Sequence, residues 1–255
     1  MSDLTIFGQT FTDVKGIKAT DTDGNEVVYG GGYSIADVLY GNLGKNVDLT
    51  GVTSFTRQQI FSGSDVETID APDLETTGNY SFYYARNLKE INAPLLSSGR
   101  EYAFSGCTKL TTLIHPYIFG LAQRTFENCS SLRYFVGNPS GVYTYTFAGC
   151  TSLEALDFGD RFHETRSNAF RNCAKLETLI IRATTLPDLQ NRDMFGGTPF
   201  ASAGTGGTLY VPQALISSYQ SANNWSTILG YPNNQILPIE GSIYETQYAD
   251  GTPIE

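Results

Sequence analysis

Four cysteines (Cys107, Cys129, Cys150, Cys173), two histidines (His115, His163) and the acidic run Asp21-Thr22-Asp23-Gly24-Asn25-Glu26 are the side chains here best suited to chemistry. Cysteines hold zinc when close pairs let four ligands converge on one ion. These stand 22, 21 and 23 residues apart, which is not metal spacing. Each occupies the same slot of a recurring unit, which predicts a column of small buried hydrophobes, a reduced core ladder; a disulfide between neighbouring rungs is the alternative. Ala85 and Ser64 in that slot favour the reduced ladder, since neither can cross-link. The acidic run lacks the ligand spacing and terminal glutamate of an EF-hand and reads as a solvated hairpin turn. His115 takes an inward strand slot filled elsewhere by Ala93, Phe158 and Ile181, and reads as a partly buried structural histidine; His163 lies in a return loop. Glu154 and Glu177 share one slot about a strand spacing apart, a separation to weigh against paired glycosidase carboxylates, and read as solvated. No G-x-S-x-G, H-E-x-x-H or phosphate-cradling glycine loop is present, so no catalytic residue, metal or cofactor is expected.

The unit that places these residues is a repeat. Phe104, Phe126, Phe147 and Phe170 are each followed, three, six and nine positions on, by Cys, Leu and a further Leu or Phe. An earlier copy runs Phe82, Ala85, Leu88, Ile91, and a shorter one Phe61, Ser64, Val66, Ile69. Successive Phe anchors lie 21, 22, 22, 21 and 23 residues apart, within the leucine-rich-repeat period. A unit of this length cannot bury its Leu and Phe alone. Stacked in parallel at about 4.8 Å, short strands such as Leu153 to Phe158 make a continuous core.

The expected architecture is mostly β with short helices: a solenoid of about six repeats over residues 55–190, preceded by an N-terminal β attachment element over 1–32. A cap over 33–54 opens with a short helix at Ser34-Ile35-Ala36-Asp37. A second cap over 191–238 comprises a glycine-rich loop, a strand Thr208 to Val211, a helix from Pro212 to about Ser221, and Trp225 over the last coil. Residues 239–255 form a tail.

Composition narrows the function. The chain has 16 basic and 26 acidic residues and a net charge of −10. Nucleic acid is thus not an expected partner, because phosphate binding needs clustered cations. An apolar fraction of 40% suffices for a core, and no window is long and apolar enough for a membrane span. The first residues lack the pattern of a secretory signal. The remaining candidate is the concave strand face, on which Lys89, Glu90, Thr112, Ile114, Arg133, Tyr134, Val136, Asp157 and Ile180 are expected to point outward. Arg133 and Tyr134 are types favoured at interface hot spots. The competing reading is that β-branched residues simply suit an exposed strand.

The strings EYAFSGCTKLTTLIHP, TFENCSSLRYF, TFAGCTSLEALDF and AFRNCAKLETLII resemble the BspA-like leucine-rich-repeat family, and TLYVPQALISSYQSANNW resembles the ends of such arrays. The resemblance spans about Phe55 to Pro238. It implies a non-enzymatic solenoid for adhesion or protein binding, on bacterial surfaces or in phage-encoded proteins, with a protein or a cell-surface glycan as partner. The opening FGQTFTDVKGIKATDTDGNEVVY resembles the starts of small phage structural or tail-associated proteins. This implies a virion component touching other virion proteins, with residues 1–32 available for homo-oligomerisation. A bacterial surface or exported adhesin is the alternative.

Overall fold

The computed structural model describes residues 46–55, 58–115, 118–190, 192–201, 206–230 and 234–254, leaving aside the side chains at 112, 114, 115 and 192, together with the backbone of four strands nearer the N-terminus. Those four are β1 (Leu4–Ile6), β2 (Gln9–Phe11), β3 (Ile17–Thr20) and β4 (Glu26–Tyr29). There follow β5 (Asn46–Asp48), β6 (Thr68–Asp70), β7 (Glu90–Asn92), β8 (Ser98–Gly99), β9 (Thr112–His115), β10 (Gly120–Leu121), β11 (Tyr134–Gly137) and β12 (Gly141–Val142). The last six are β13 (Ala155–Phe158), β14 (Glu164–Thr165), β15 (Thr178–Ile181), β16 (Asp188–Leu189), β17 (Thr208–Val211) and β18 (Gln235–Pro238).

Most coils carry two short strands, one from each of two ladders that are parallel from β5 onward. The first ladder is a five-stranded sheet, order β4-β3-β5-β6-β7, and a six-stranded sheet, order β18-β17-β15-β13-β11-β9. The second runs through bridges at Ser54, Thr76 and Ser98 into β8–β10 and β12–β14–β16. Strand alternation sends Leu113, Phe135, Leu156, Leu179 and Leu209 into the core, and they pair in one register row. Residues on either side of that row face outward.

The Phe anchors form the spine. Rings of Phe61, Phe82, Phe104, Phe126 and Phe147 stack with centroids 5.1–5.4 Å apart and interplanar angles of 6–12°. Two positions before and two after each anchor, the backbone is left-handed: Gln59 and Gly63, Tyr80 and Tyr84, Tyr102 and Gly106, Arg124 and Asn128, Tyr145 and Gly149, Asn168 and Asn172. The second slot of each pair mostly uses Gly and Asn, which tolerate this conformation. The first slot does not, and its cost is offset along the edge. Tyr80 stacks on Tyr102 at 4.7 Å, and the Arg124 guanidinium lies 5.6 Å from the Tyr102 ring and 4.4 Å from Tyr145.

The two ends are closed by pairing and by helices. β3 pairs antiparallel with β4 and with β5, so the N-terminal hairpin covers the sheet edge of the first coil, a capping part that an attachment piece alone did not anticipate. Residues 21–25, with the acidic run's turn, and the helix start at residues 34–37 lie outside the described residues. At the far end Pro212 leads into a single 3-10 turn, Gln213–Leu215, and then α1 (Ile216–Ser221) and α2 (Trp225–Leu229). Trp225 is buried against Tyr219 at 4.9 Å and donates its indole N–H to the Pro187 carbonyl at 3.0 Å. β18 adds a further parallel strand after them.

The glycine-rich stretch is not a simple interruption of the period. Phe195 continues the ring stack 5.3 Å from Phe170, Gly197 repeats the left-handed slot, and Thr198 takes the cysteine slot, its hydroxyl donating to the Phe195 carbonyl at 2.8 Å. Three extra residues between anchors hide this degenerate copy from a fixed-period count.

Candidate functional site

The cysteine column is structural in its geometry. All four side chains are fully buried and free. Each thiol donates to a Phe carbonyl of the preceding coil: Cys107 to Phe82, Cys129 to Phe104 and Cys150 to Phe126 at 3.1 Å, and Cys173 to Phe147 at 3.0 Å. Burial pushes the thiols of Cys107, Cys129 and Cys150 well up, so no reactive thiolate is available there. In native protein we expect no reaction of the four thiols with a disulfide reagent over an hour, and release of four equivalents on unfolding in urea. Rapid native labelling would show that the column opens. Among the described residues no group of three or more His, Cys, Asp or Glu is placed to hold a metal.

The nine residues expected on an open strand face do not form one patch. Lys89 and Glu90 lie at and beside β7 in the five-stranded sheet, and Lys89 is engaged with Glu67 across one coil at 2.6 Å. Thr112 and Ile114 sit on β9, their side chains outside the described residues. Arg133 and Tyr134 are at the accessible part of the six-stranded sheet. Val136, Asp157 and Ile180 do face outward, in register on adjacent strands, but they are not exposed: their accessibilities are 1%, 1% and 0%. The expectation of an open face is corrected for these three. What it lacked was the tail.

Residues 243–254 fold back across the outer face. A short 3-10 turn, Ile243–Glu245, leads into a hairpin. Gln247 bridges Pro253, the Ile254 N–H donates to Thr246 at 3.0 Å, and the Gly251 N–H donates to Tyr248 at 2.9 Å across the tip. Arg182 and Asp157 grip it. The Arg182 Nε and Nη2 donate to the two Asp157 carboxylate oxygens at 2.8 Å each. The guanidinium also donates to the carbonyls of Tyr244, at 2.8 Å, and Gln247, at 3.0 Å. The Ala249 N–H donates to Asp157 Oδ2 at 3.1 Å. Tyr244 packs on Tyr210 with centroids 4.7 Å apart, and the Tyr248 ring lies 5.5 Å under the guanidinium. Burial pushes the Asp157 carboxyl up, while Arg182 and the Ala249 amide pull it partly back. Arg182, absent from the sequence-based candidates, holds this arrangement together. The available signal was Asp157 itself, an acid in a column otherwise held by Ile114, Val136, Ile180, Tyr210 and Leu237.

Beside the hairpin, Arg133, Tyr134 and Glu154 lock into one another. Arg133 reaches both Glu154 oxygens at 3.0 Å, its guanidinium lies 5.2 Å from the Tyr134 ring, and the Tyr134 hydroxyl donates to Glu154 at 2.9 Å. The bond from Arg133 holds the Glu154 carboxyl below its usual range, which suits an ion-pair partner and not a general acid. His163 is exposed in its loop, its Nδ1 within 3.1 Å of the Arg161 carbonyl. A second surface lies on the other ladder: a groove of about 480 Å3 lined by Gly99, Arg100, Glu101, Gly120, Leu121 and Tyr143.

A stack of parallel coils with Phe, small-residue and Leu columns, closed by terminal caps, is a leucine-rich-repeat solenoid. The chain belongs to the BspA type leucine rich repeat family, whose model, in 6 copies, matches residues 53–177 and 137–195. Among curated protein sequences none matches. Similar solved structures include a leucine-rich repeat protein from Bacteroides ovatus, 14% identical, covering 88% of this chain and 76% of its own, with a TM-score of 0.36. The pneumococcal vaccine antigen PcpA is 13% identical over 85% and 81%, with a TM-score of 0.32. A leucine rich cell surface protein from Faecalibacterium prausnitzii is 13% identical over 88% and 86%, with a TM-score of 0.28. No helix among the described residues is long and apolar enough to cross a membrane.

Proposed function

We propose that the chain is a non-enzymatic binding module, an adhesin of bacterial surface type, that holds a protein partner against the outer face of its six-stranded sheet. The observation that carries this reading is the Arg133–Tyr134–Glu154 cluster. Its three side chains come from neighbouring coils and are fixed by mutual hydrogen bonds before any ligand arrives, while Arg133 stays 53% exposed. Arg and Tyr held in place lose little freedom on binding, which is how hot spots concentrate affinity. Family membership supports the class. The virion reading rests on opening residues that are described at most as backbone strands, and no described side chain favours it.

The test is binding of the labelled 255-residue chain to an array of extracellular-matrix proteins and glycans. Arg133→Ala with Tyr134→Ala is expected to weaken capture on the protein spots about tenfold or more, equivalent to the loss of one hot spot. Undiminished capture by the double variant overturns the outer face as the site. The groove beside Tyr143 supports a glycan as second ligand, since hydrogen-bonding groups there flank one exposed ring. Capture on glycan spots that is lost in Tyr143→Ala and kept in the double variant would select it.

A further inference from the structure

Asp157 and Arg182 meet the 243–254 segment through its main chain. The hydrogen-bond partners they use on that segment are the carbonyls of Tyr244 and Gln247 and the amide of Ala249, with no side-chain atom among these contacts. An ion pair that reads carbonyls and an amide recognises the shape of a polypeptide turn and not its particular side chains. The floor around it is apolar, with Val136 and Ile180 in register on either side of Asp157. The arrangement has the composition of a ligand pocket: apolar walls with a few convergent polar groups.

The occupant is also held from outside the core. The contiguous hydrophobic core runs from Val47 to Ile228, and among the described residues none beyond 239 joins it. Much of the segment faces solvent, with Ile243 65% exposed and Glu245, Thr246, Gln247 and Gly251 also exposed. The segment joins the solenoid through Glu240 and Gly241, both exposed, and Gly241 has φ +79° with nothing within 4 Å of where a Cβ would stand. Segments with few buried apolar contacts open locally at a fraction of the free energy of global unfolding.

We propose that the outer-face patch of Val136, Asp157, Ile180 and Arg182 is a receptor site for a β-turn hairpin of a partner protein, and that residues 243–254 are its resident occupant, displaced when the partner binds. The partner turn must place a backbone N–H on the Asp157 carboxylate, as Ala249 does at 3.1 Å, and two backbone carbonyls on Arg182, as Tyr244 and Gln247 do. This deepens the binding-module reading and rests on it. Tethering gives the resident hairpin a high effective concentration, so the partner's apparent affinity is lowered by the fraction of time the site is closed.

The test uses the full chain with a protease site inserted between Glu240 and Gly241, cut after purification and dialysed, and a fluorescein-labelled synthetic peptide of residues 241–255 as probe. Fluorescence anisotropy is expected to show saturable binding to the cut protein and at least tenfold weaker binding to the uncut protein. Arg182→Gln in the cut protein is expected to remove it. Melting curves of both forms show that the solenoid persists. A cut protein that keeps its melting transition but takes up no labelled peptide overturns the proposal, whether its own fragment stays in place or the face does not hold it. Concentration-dependent dimers of uncut protein in light scattering, abolished by Arg182→Gln, would overturn it in another way, by showing hairpin exchange between copies. Failure of the peptide leaves the Arg133 and Tyr134 test untouched, so the two readings fall separately.

Discussion

Phe126→Ala is expected to cost about 3–5 kcal/mol, the range for deleting a large aromatic from a packed core. Phe126 is fully buried, 5.3 Å from Phe104 and 5.4 Å from Phe147, with Phe135 tilted against it at 5.8 Å. The gap cannot close, because the height of each ring is set by hydrogen-bonded strands at about 4.8 Å per coil, and neighbouring coils cannot approach more closely. In a solenoid whose coils touch only their neighbours, the substitution also weakens both interfaces of its coil. Urea unfolding followed by circular dichroism should therefore show a lower midpoint and a shallower slope, the sign that the two halves no longer unfold together. Phe61, whose stacked partner is Phe82 on one side, should cost about half as much under the same substitution. A loss below about 1 kcal/mol for Phe126→Ala would mean that the ring column is not what joins the coils.

That column was legible in the sequence because stacking repeats the same demand every coil. Phe, a small residue and two Leu recur at constant offsets, and the closing strand Thr208 to Val211 shows the same alternation. Legibility failed where a demand is met once or by backbone. Phe195 was hidden by three inserted residues, although Phe195-Gly196-Gly197-Thr198 keeps the slot chemistry. The left-handed positions at Tyr80, Tyr102 and Tyr145 contradict residue preference, and only contacts between coils make them tolerable. The outer face was misjudged for a related reason. Alternation puts Val136, Asp157 and Ile180 on the face opposite the Leu row, but it cannot tell an open face from one covered by a segment far along the chain, such as Ala249 on Asp157, 92 residues away. Main-chain contacts leave no pattern in side-chain types.

Arg182→Leu follows from that same contact and is expected to destabilise the protein in a pH-dependent way. The variant leaves Asp157 without its cation at a site where burial already pushes the carboxyl up. An uncompensated buried charge costs about 3–5 kcal/mol if nothing relaxes. Two relaxations are open, and each has its own signature. Asp157 can take up a proton. A carboxyl whose folded pKa is raised above its unfolded value, about 3.9, contributes stability that is present below that value and lost as pH rises through the folded pKa. The deficit of the variant should accordingly be small near pH 4 and grow toward neutrality. The hairpin can instead lift and admit water, which caps the loss and frees the Ala249 amide to exchange. At pH 7 we expect a lowered melting temperature together with fast hydrogen exchange at Ala249. Asp157→Leu combined with Arg182→Leu separates the two causes. With no buried charge left, the melting temperature should recover, while Ala249 stays unprotected because the Asp157 carboxylate that accepted its N–H is gone. An Arg182→Leu variant that melts like the parent at pH 7 and keeps its Ala249 protection would mean that Arg182 is not what holds the hairpin on this face.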